Sequence, residues 1–347
     1  MLEINNKSMI SKTIANLRFP LMLGVVLCHT IVIDPKVATS LGMNFVAYFV
    51  ELMTYKAIAP CVPLFFFISG YLFFLKFGDK FTIVDYASQL KKRLRTLVVP
   101  YVFWNLVVLG YFAFLHKCVP SLINPAFNNV YQFSLSELCR TFWDFPGGQP
   151  ICYQFWFLRD LLLAVILSPI LFMLLKYGRW YFLVLLVVTY IYDIGIFPHQ
   201  VMLTFFSLGA GFAIHKWDFV AISKKWVKVS APLFVILVAY ASMSSGWGIE
   251  RGLVTITGGM TFIYGASKLG NQNGTLGESA FFVYAFHGFP VLILSKIIVA
   301  ILNPSTSVMW IICYIGCFIT IVLLSLYVYT YMKRFFPKFT SFITGGR

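Results

Sequence analysis

Ten long apolar runs cover most of this chain, and about 17 to 25 such residues are what a helix needs to cross the hydrocarbon core of a bilayer. They lie at roughly residues 14–33, 57–77, 97–115, 153–175, 180–197, 198–215, 229–246, 252–268, 279–302 and 308–331. One division is narrow and one run is weakly marked. Phe197, Pro198 and His199 alone separate the fifth run from the sixth, and the eighth is short and rich in glycine, with Gly252, Gly258, Gly259 and Gly265. Residues 43–54 are apolar but too short for a crossing, which predicts an interfacial or re-entrant helix. The expected fold class is all-α, a polytopic membrane protein of about ten transmembrane helices in a single domain over residues 1–347.

Composition agrees with lipid as the solvent. Of the 347 residues, 60% are hydrophobic and 11% charged, against about 25% charged in an ordinary soluble domain. Mean hydropathy is +0.83, and a water-soluble enzyme is excluded. The net charge of +15 would suggest nucleic acid in a soluble protein, but here it records topology and no nucleic-acid partner is expected, because Lys and Arg collect in cytoplasmic loops. With the N-terminus placed in the cytoplasm, twenty Lys and Arg residues fall on that side, six fall outside, and Lys296 falls within a span. That asymmetry predicts both termini cytoplasmic, a basic cytoplasmic loop at 78–96 and an external loop at 116–152. Pro120, Pro125, Pro146, Gly147, Gly148 and Pro150 mark turns in the external loop. Arg18 interrupts the first run and no small-residue cleavage site follows it, so that run reads as a retained helix and not a signal peptide. The seven cysteines show neither Cys-x-x-Cys nor Cys/His spacing, which argues against a metal site. Cys118, Cys139 and Cys152 share the external loop, where an oxidising compartment would permit one disulfide whose pairing the sequence leaves open.

Ionisable residues inside a bilayer are expensive and are candidate functional groups by default. Arg18 and His29 stand eleven positions apart in the first run. At 100° per residue that is three turns plus about 20°, so both project from one helix face, about 16 Å apart along the axis. Arg18 then lies near the cytoplasmic edge and His29 beyond the midplane, a spacing that suits a phosphate-bearing ligand extended along the face. The plainer alternative is an arginine snorkelling to head groups and a histidine hydrogen-bonded between helices. Arg159 and Asp160 fall one turn into the fourth span near the outer surface, and adjacent positions point about 100° apart, which predicts that they do not line one groove as a simple pair. Asp34, five residues past His29, reads as a solvated loop residue. Asp193 and His199 read as the polar cap of an outer turn, and Lys296 is expected to pair or to snorkel outward.

The run from Leu17 to His29, an arginine and a histidine separated by ten residues, resembles the first-helix signature of the acyltransferase-three family of integral membrane acyltransferases. Further stretches resemble that family in the same order. They are Val62-Pro63-Leu64-Phe65-Phe66-Phe67-Ile68-Ser69-Gly70-Tyr71, Lys92-Arg93-Leu94-Arg95 followed by Pro100-Tyr101 and Trp104, Trp156-Phe157-Leu158, and Tyr284-Ala285-Phe286-His287. The resemblance implies a ten-helix domain in the bacterial inner membrane that takes an acyl group, typically acetyl, from cytoplasmic coenzyme A. The group passes to a sugar hydroxyl of a surface polysaccharide or its lipid-linked precursor. Acetyl-CoA is then the donor substrate, no tightly bound cofactor is implied, and the partners are membrane lipid, acyl-CoA and a glycan acceptor.

On that reading Arg18, Lys91, Lys92, Arg93 and Arg95 meet the coenzyme A phosphates. For the four clustered cations, anchoring to anionic lipid is an equal alternative. His29 acts as general base toward the acceptor hydroxyl, more economically than through a covalent acyl-histidine. Ser69, Tyr71 or Tyr101 offers donors to the developing oxyanion, and Trp104 and Arg159 are further candidate contacts. His287, with Tyr284 on the same face, holds the acceptor, orients His29, or simply pairs between helices. The rival class is a transporter or flippase for a polysaccharide or lipid-linked sugar, which would need buried charges but not the arginine-to-histidine register.

Overall fold

A computed structural model describes residues 2–77, 80–120, 129–144, 148–244, 246–270 and 274–346. Pro125, Pro146 and Gly147, three of the expected turn positions, lie outside the described residues. In chain order the helices are α1 (Leu2–His29), α2 (Pro35–Ser40), α3 (Asn44–Val50), α4 (Cys61–Phe74), α5 (Ile83–Arg93), α6 (Val99–Cys118), α7 (Leu135–Arg140), α8 (Trp156–Ile191), α9 (Gln200–Ile214), α10 (Phe219–Ala241), α11 (Glu250–Lys268), α12 (Thr275–Phe286), α13 (Gly288–Leu302), α14 (Ser307–Phe335) and α15 (Pro337–Ile343). There is no β-strand among the described residues. The chain forms two compact units, one of Met1–Thr82 with Leu167–Val328, the other of Ile83–Ile166 with Tyr329–Arg347.

Among the described residues five helical stretches are long and apolar enough to cross a membrane: Ser8–His29, Asn44–Phe74, Ile83–Cys118, Tyr153–Ile191 and Ser307–Phe335. A sixth follows if α12 and α13, bent by 50° at their junction, are taken as one span. Each of the ten expected runs coincides with a helix or helix pair, but their boundaries differ in informative ways. Residues 43–54 are not a separate interfacial helix. A π-helical segment, Glu51–Lys56, carries α3 toward α4 within the 31-residue stretch Asn44–Phe74. In an α-helix, positions five apart lie about 140° from one another, whereas the wider π turn closes i→i+5. Here the Lys56 ammonium lies 3.6 Å from the Glu51 carboxylate. Lys56 also donates to the Gly246 carbonyl and stands 4.2 Å from the centre of the Trp247 ring.

The basic segment 78–96 is likewise not a loop from residue 83 onward. The pattern Ile83-Val84-Asp85-Tyr86-Ala87-Ser88-Gln89-Leu90 forms the start of an amphipathic helix that runs through a second π turn, Leu94–Val98, into α6. The fourth and fifth expected spans meet in α8, where Arg179 breaks the helix with φ 46° and ψ −132°. Proline explains the 50° bend between α12 and α13. Pro290 has no N–H to bond the Phe286 carbonyl four residues back, so the ladder opens beside His287. At 15 residues α9 is shorter than an ordinary crossing.

Small residues set the closest approaches in the first unit. A Cβ on Gly70 would sit 2.0 Å from the Phe206 carbonyl oxygen, and one on Gly209 would sit 1.9 Å from that of Phe67, so α4 and α9 cross backbone to backbone. Lipid supplies no hydrophobic drive between helices, and such approach is how van der Waals contact takes its place. Thr54 and Tyr314, both buried, share a 2.9 Å hydrogen bond that ties the π segment to α14. Asp34 is a cap: its carboxylate accepts from the Lys36 N–H at 2.8 Å and Pro35 opens α2. His199 sits at φ 51° ahead of α9 and Asp193 at φ 48° just past α8.

Candidate active site

Helix α1 is unbroken from Leu2 to His29, so the eleven-residue offset does place Arg18 and His29 on one face, about 16 Å apart. Arg18 is exposed, between the buried Leu17 and Leu21, and has no hydrogen bond or ion pair among the described residues. Two positions earlier, the buried Asn16 points its amide at the end of α11 and reaches the carbonyls of Ala266 and Gly270, each at 3.0 Å. Ala266 is in the last turn of α11 and Gly270 lies just past its end, and the contact fixes the rotation of α1 beside Arg18. Nothing in the apolar pattern singled Asn16 out. An amide in a membrane helix is the signal that was available.

At the C-terminal end of α1 the His29 ring stacks on His287, with centroids 5.3 Å apart and planes 29° apart. His287 is fully buried, and its Nδ1 lies 3.1 Å from the Val283 carbonyl oxygen one turn back. Tyr284 is buried, its ring centre 6.4 Å from that of His287. Two histidines that are 258 positions apart in the sequence thus form one pair.

Ser69 and Tyr71 go elsewhere. Gly24 of α1 faces Cys61 and Ile58, Gly258 faces Pro60, Gly259 faces Leu64, and Asn16 meets Ala266. These contacts make α4 antiparallel to α1 and place Cys61 level with Gly24. At 1.5 Å per residue Ser69 and Tyr71 lie about 12 and 15 Å from that level toward the Arg18 end, while His29 lies about 7.5 Å the other way. Neither side chain reaches an oxyanion formed beside His29. Tyr71 is buried edge-on against Phe219, ring centres 5.1 Å apart.

The remaining candidates belong to the second unit. The Tyr101 hydroxyl donates to the Phe142 carbonyl, and the Trp104 indole N–H donates to the Ile343 carbonyl at 3.1 Å. Both polar tips are therefore occupied by the backbone. Asn105, fully buried, accepts from the Cys152 N–H at 3.1 Å and fastens the entry to α8. Arg159 and Asp160 form a buried pair at 3.0 Å, contrary to the expectation for adjacent positions. The 100° offset describes the Cβ directions, and the long arginine side chain bends back across it. Arg159 also donates to the carbonyls of Trp143 and Gly148 at 2.9 and 2.8 Å, so it ties the start of α8 to the segment before it. Lys91, Lys92 and Arg95 are exposed and Arg93 is half-buried on the α5 face leading to α6. The loop cysteines are unpaired: Cys118 and Cys139 are exposed and Cys152 is buried, where burial pushes its thiol well above the usual cysteine range. Lys296 is exposed on α13.

Within the stretch Ser8–His29, Arg18 therefore stands near the middle and the stacked His29 at the end, rather than at the edge and beyond the midplane as the apolar run 14–33 predicted. Residues 12–330 match the family model described as an acyltransferase domain, and the chain belongs to this family. The chain is 26% identical over 248 residues to the succinoglycan biosynthesis protein ExoH of Rhizobium meliloti (strain 1021), covering 67% of this chain and 62% of that protein. The chain thus spans about three fifths of the length of this relative. No solved structure matches.

Proposed function

We propose that the protein transfers an acetyl group from cytoplasmic acetyl-CoA to a sugar hydroxyl of a surface polysaccharide or its lipid-linked precursor. The observation that carries this reading is the pairing of His29 with His287 at the end of a helix that presents Arg18, three turns earlier on the same face, with no hydrogen bond or ion pair among the described residues. The family supplies acyl transfer, and the succinoglycan relative supports a polysaccharide acceptor. Coenzyme A brings phosphates, which a planar guanidinium grips with two parallel hydrogen bonds. The thioester is then extended along α1 toward the histidines.

His29 takes the proton of the reacting hydroxyl as its oxygen attacks the thioester carbonyl carbon. The C–S bond breaks, and the proton returns to the leaving sulfur. The exposed cations Lys91, Lys92 and Arg95, with Arg93, act through space. They raise the local concentration of an anionic donor at the cytoplasmic face, an effect that salt screens. Purified protein in detergent, given acetyl-CoA and a sugar acceptor, is expected to release free thiol. His29→Ala should lower the rate by about 100- to 10,000-fold, the range for loss of a general base, while acetyl-CoA still binds. Near-normal turnover by a folded His29→Ala protein would sink the mechanism. A transporter, by contrast, would release no thiol in any variant.

A further inference from the structure

We propose that His287 is an acceptor-binding residue whose Nε2 receives a hydrogen bond from a second hydroxyl, adjacent to the one acylated, so that the acceptors are sugars with neighbouring hydroxyl groups. This rests on the transferase reading above and adds the chemistry that the acceptor must carry.

The argument begins with the tautomer. Nδ1 of His287 lies 3.1 Å from the Val283 carbonyl oxygen. A carbonyl can only accept, so in the neutral ring the hydrogen is on Nδ1 and Nε2 carries a lone pair. That Nε2 is buried and has no hydrogen-bond partner among the described residues. Native structures rarely leave a buried polar atom in this state, and each instance calls for an explanation. The explanation must supply an O–H or N–H donor, because Nε2 in this tautomer can only accept.

Position narrows the donor. The ring is stacked on His29 with centroids 5.3 Å apart, and the bend beside Pro290 turns the chain at this residue. Whatever fills the acceptor site therefore lies beside both imidazoles. The reacting hydroxyl spends its one hydrogen on His29, so a second donor is needed for His287. A sugar ring carries one on the neighbouring carbon. An amide N–H of the donor's pantetheine arm is the competing source, and it differs in which substrate would lose affinity.

The test uses acetyl-CoA with methyl β-glucoside and methyl β-galactoside, their monodeoxy analogues, and product NMR to locate the acetyl group. Removing the hydroxyl next to the acetylated position should lower kcat/KM at least tenfold, whereas removing a distant hydroxyl should lower it less than threefold. A site built to bond a hydroxyl rejects the analogue without it. In His287→Phe the two analogues should fall within threefold of each other, and His287→Gln, whose Oε1 still accepts, should keep part of the difference. Equal treatment of both analogues by the parent protein overturns the proposal without needing any variant. A raised KM for acetyl-CoA in His287→Phe, with the deoxy-sugar discrimination unchanged, overturns it in favour of the pantetheine amide. If the parent releases no thiol with any acceptor, the transferase reading itself fails and takes this inference with it.

Discussion

Arg18 and Arg159 are both arginines within apolar helices, yet their surroundings separate them. Arg159 is buried against Asp160 and two backbone carbonyls, and breaking such a pair leaves a buried charge uncompensated, which typically costs about 3 to 5 kcal/mol. Its role is to hold residues 143–160 together. Arg18 is exposed and makes no hydrogen bond or ion pair with the described protein, so its removal should spare the fold and cost only what it does for a ligand. Arg18→Ala is accordingly expected to weaken binding of a non-transferable acetyl-CoA analogue by about 1.5 to 3 kcal/mol, the scale for hydrogen bonds to charged groups. Arg18→Lys should recover only part of this, because an ammonium keeps the charge but loses the planar two-point grip. Calorimetry on the three proteins decides. Unchanged affinity in Arg18→Ala would leave this arginine a topology signal and nothing more.

Where a helix lies was legible in the chain, and how it meets its neighbours was much less so. Apolar runs mark elements because lipid rewards them residue by residue, so all ten runs coincide with helices. The joins escaped because they depend on single residues read against the pattern. Residues 43–54 looked too short to cross, but the Glu51–Lys56 ion pair and a π turn carry the helix on toward α4. The cations of α5 masked the apolar positions that make it helical, while Pro290 was a bend signal in plain view. The Arg18 and His29 register needed only helical periodicity, whereas the partnership of His29 with His287 is a long-range contact that no local pattern encodes. Helix crossings follow the same rule and give a prediction. Gly70→Ala and Gly209→Ala place a Cβ against backbone carbonyl oxygens that cannot move aside separately, so α4 and α9 must part. Each should destabilise by about 1 to 3 kcal/mol or more, the usual range for overpacking. Gly110, with no atom within 4 Å of an added Cβ, should accept alanine with a gain of up to about 1 kcal/mol from helix propensity. Thermal unfolding in one detergent compares all three, and equal melting points would mean that the α4–α9 contact is looser than its geometry.

For the molecule as a whole the outstanding quantity is its orientation, because donor and acceptor are proposed to arrive from opposite sides. The twenty-to-six division of Lys and Arg predicts residues 116–152 outside and both termini in the cytoplasm. The native cysteines provide the means to check it. Cys118 and Cys139 are exposed, whereas Cys61, Cys152, Cys313 and Cys317 are buried and Cys28 is half-buried in α1. A membrane-impermeant maleimide applied to intact cells should therefore label the protein, and the double variant Cys118→Ser/Cys139→Ser should lose most of that label. Neither substitution touches Arg18, His29 or His287, so turnover serves as a control for folding. Labelling only after the cytoplasmic face is opened would invert the topology. Arg18 would then face the external side and His29 the cytoplasm, coenzyme A phosphates could not meet Arg18 from the compartment that contains them, and the donor path along α1 would have to be abandoned even if the histidine pair proved essential.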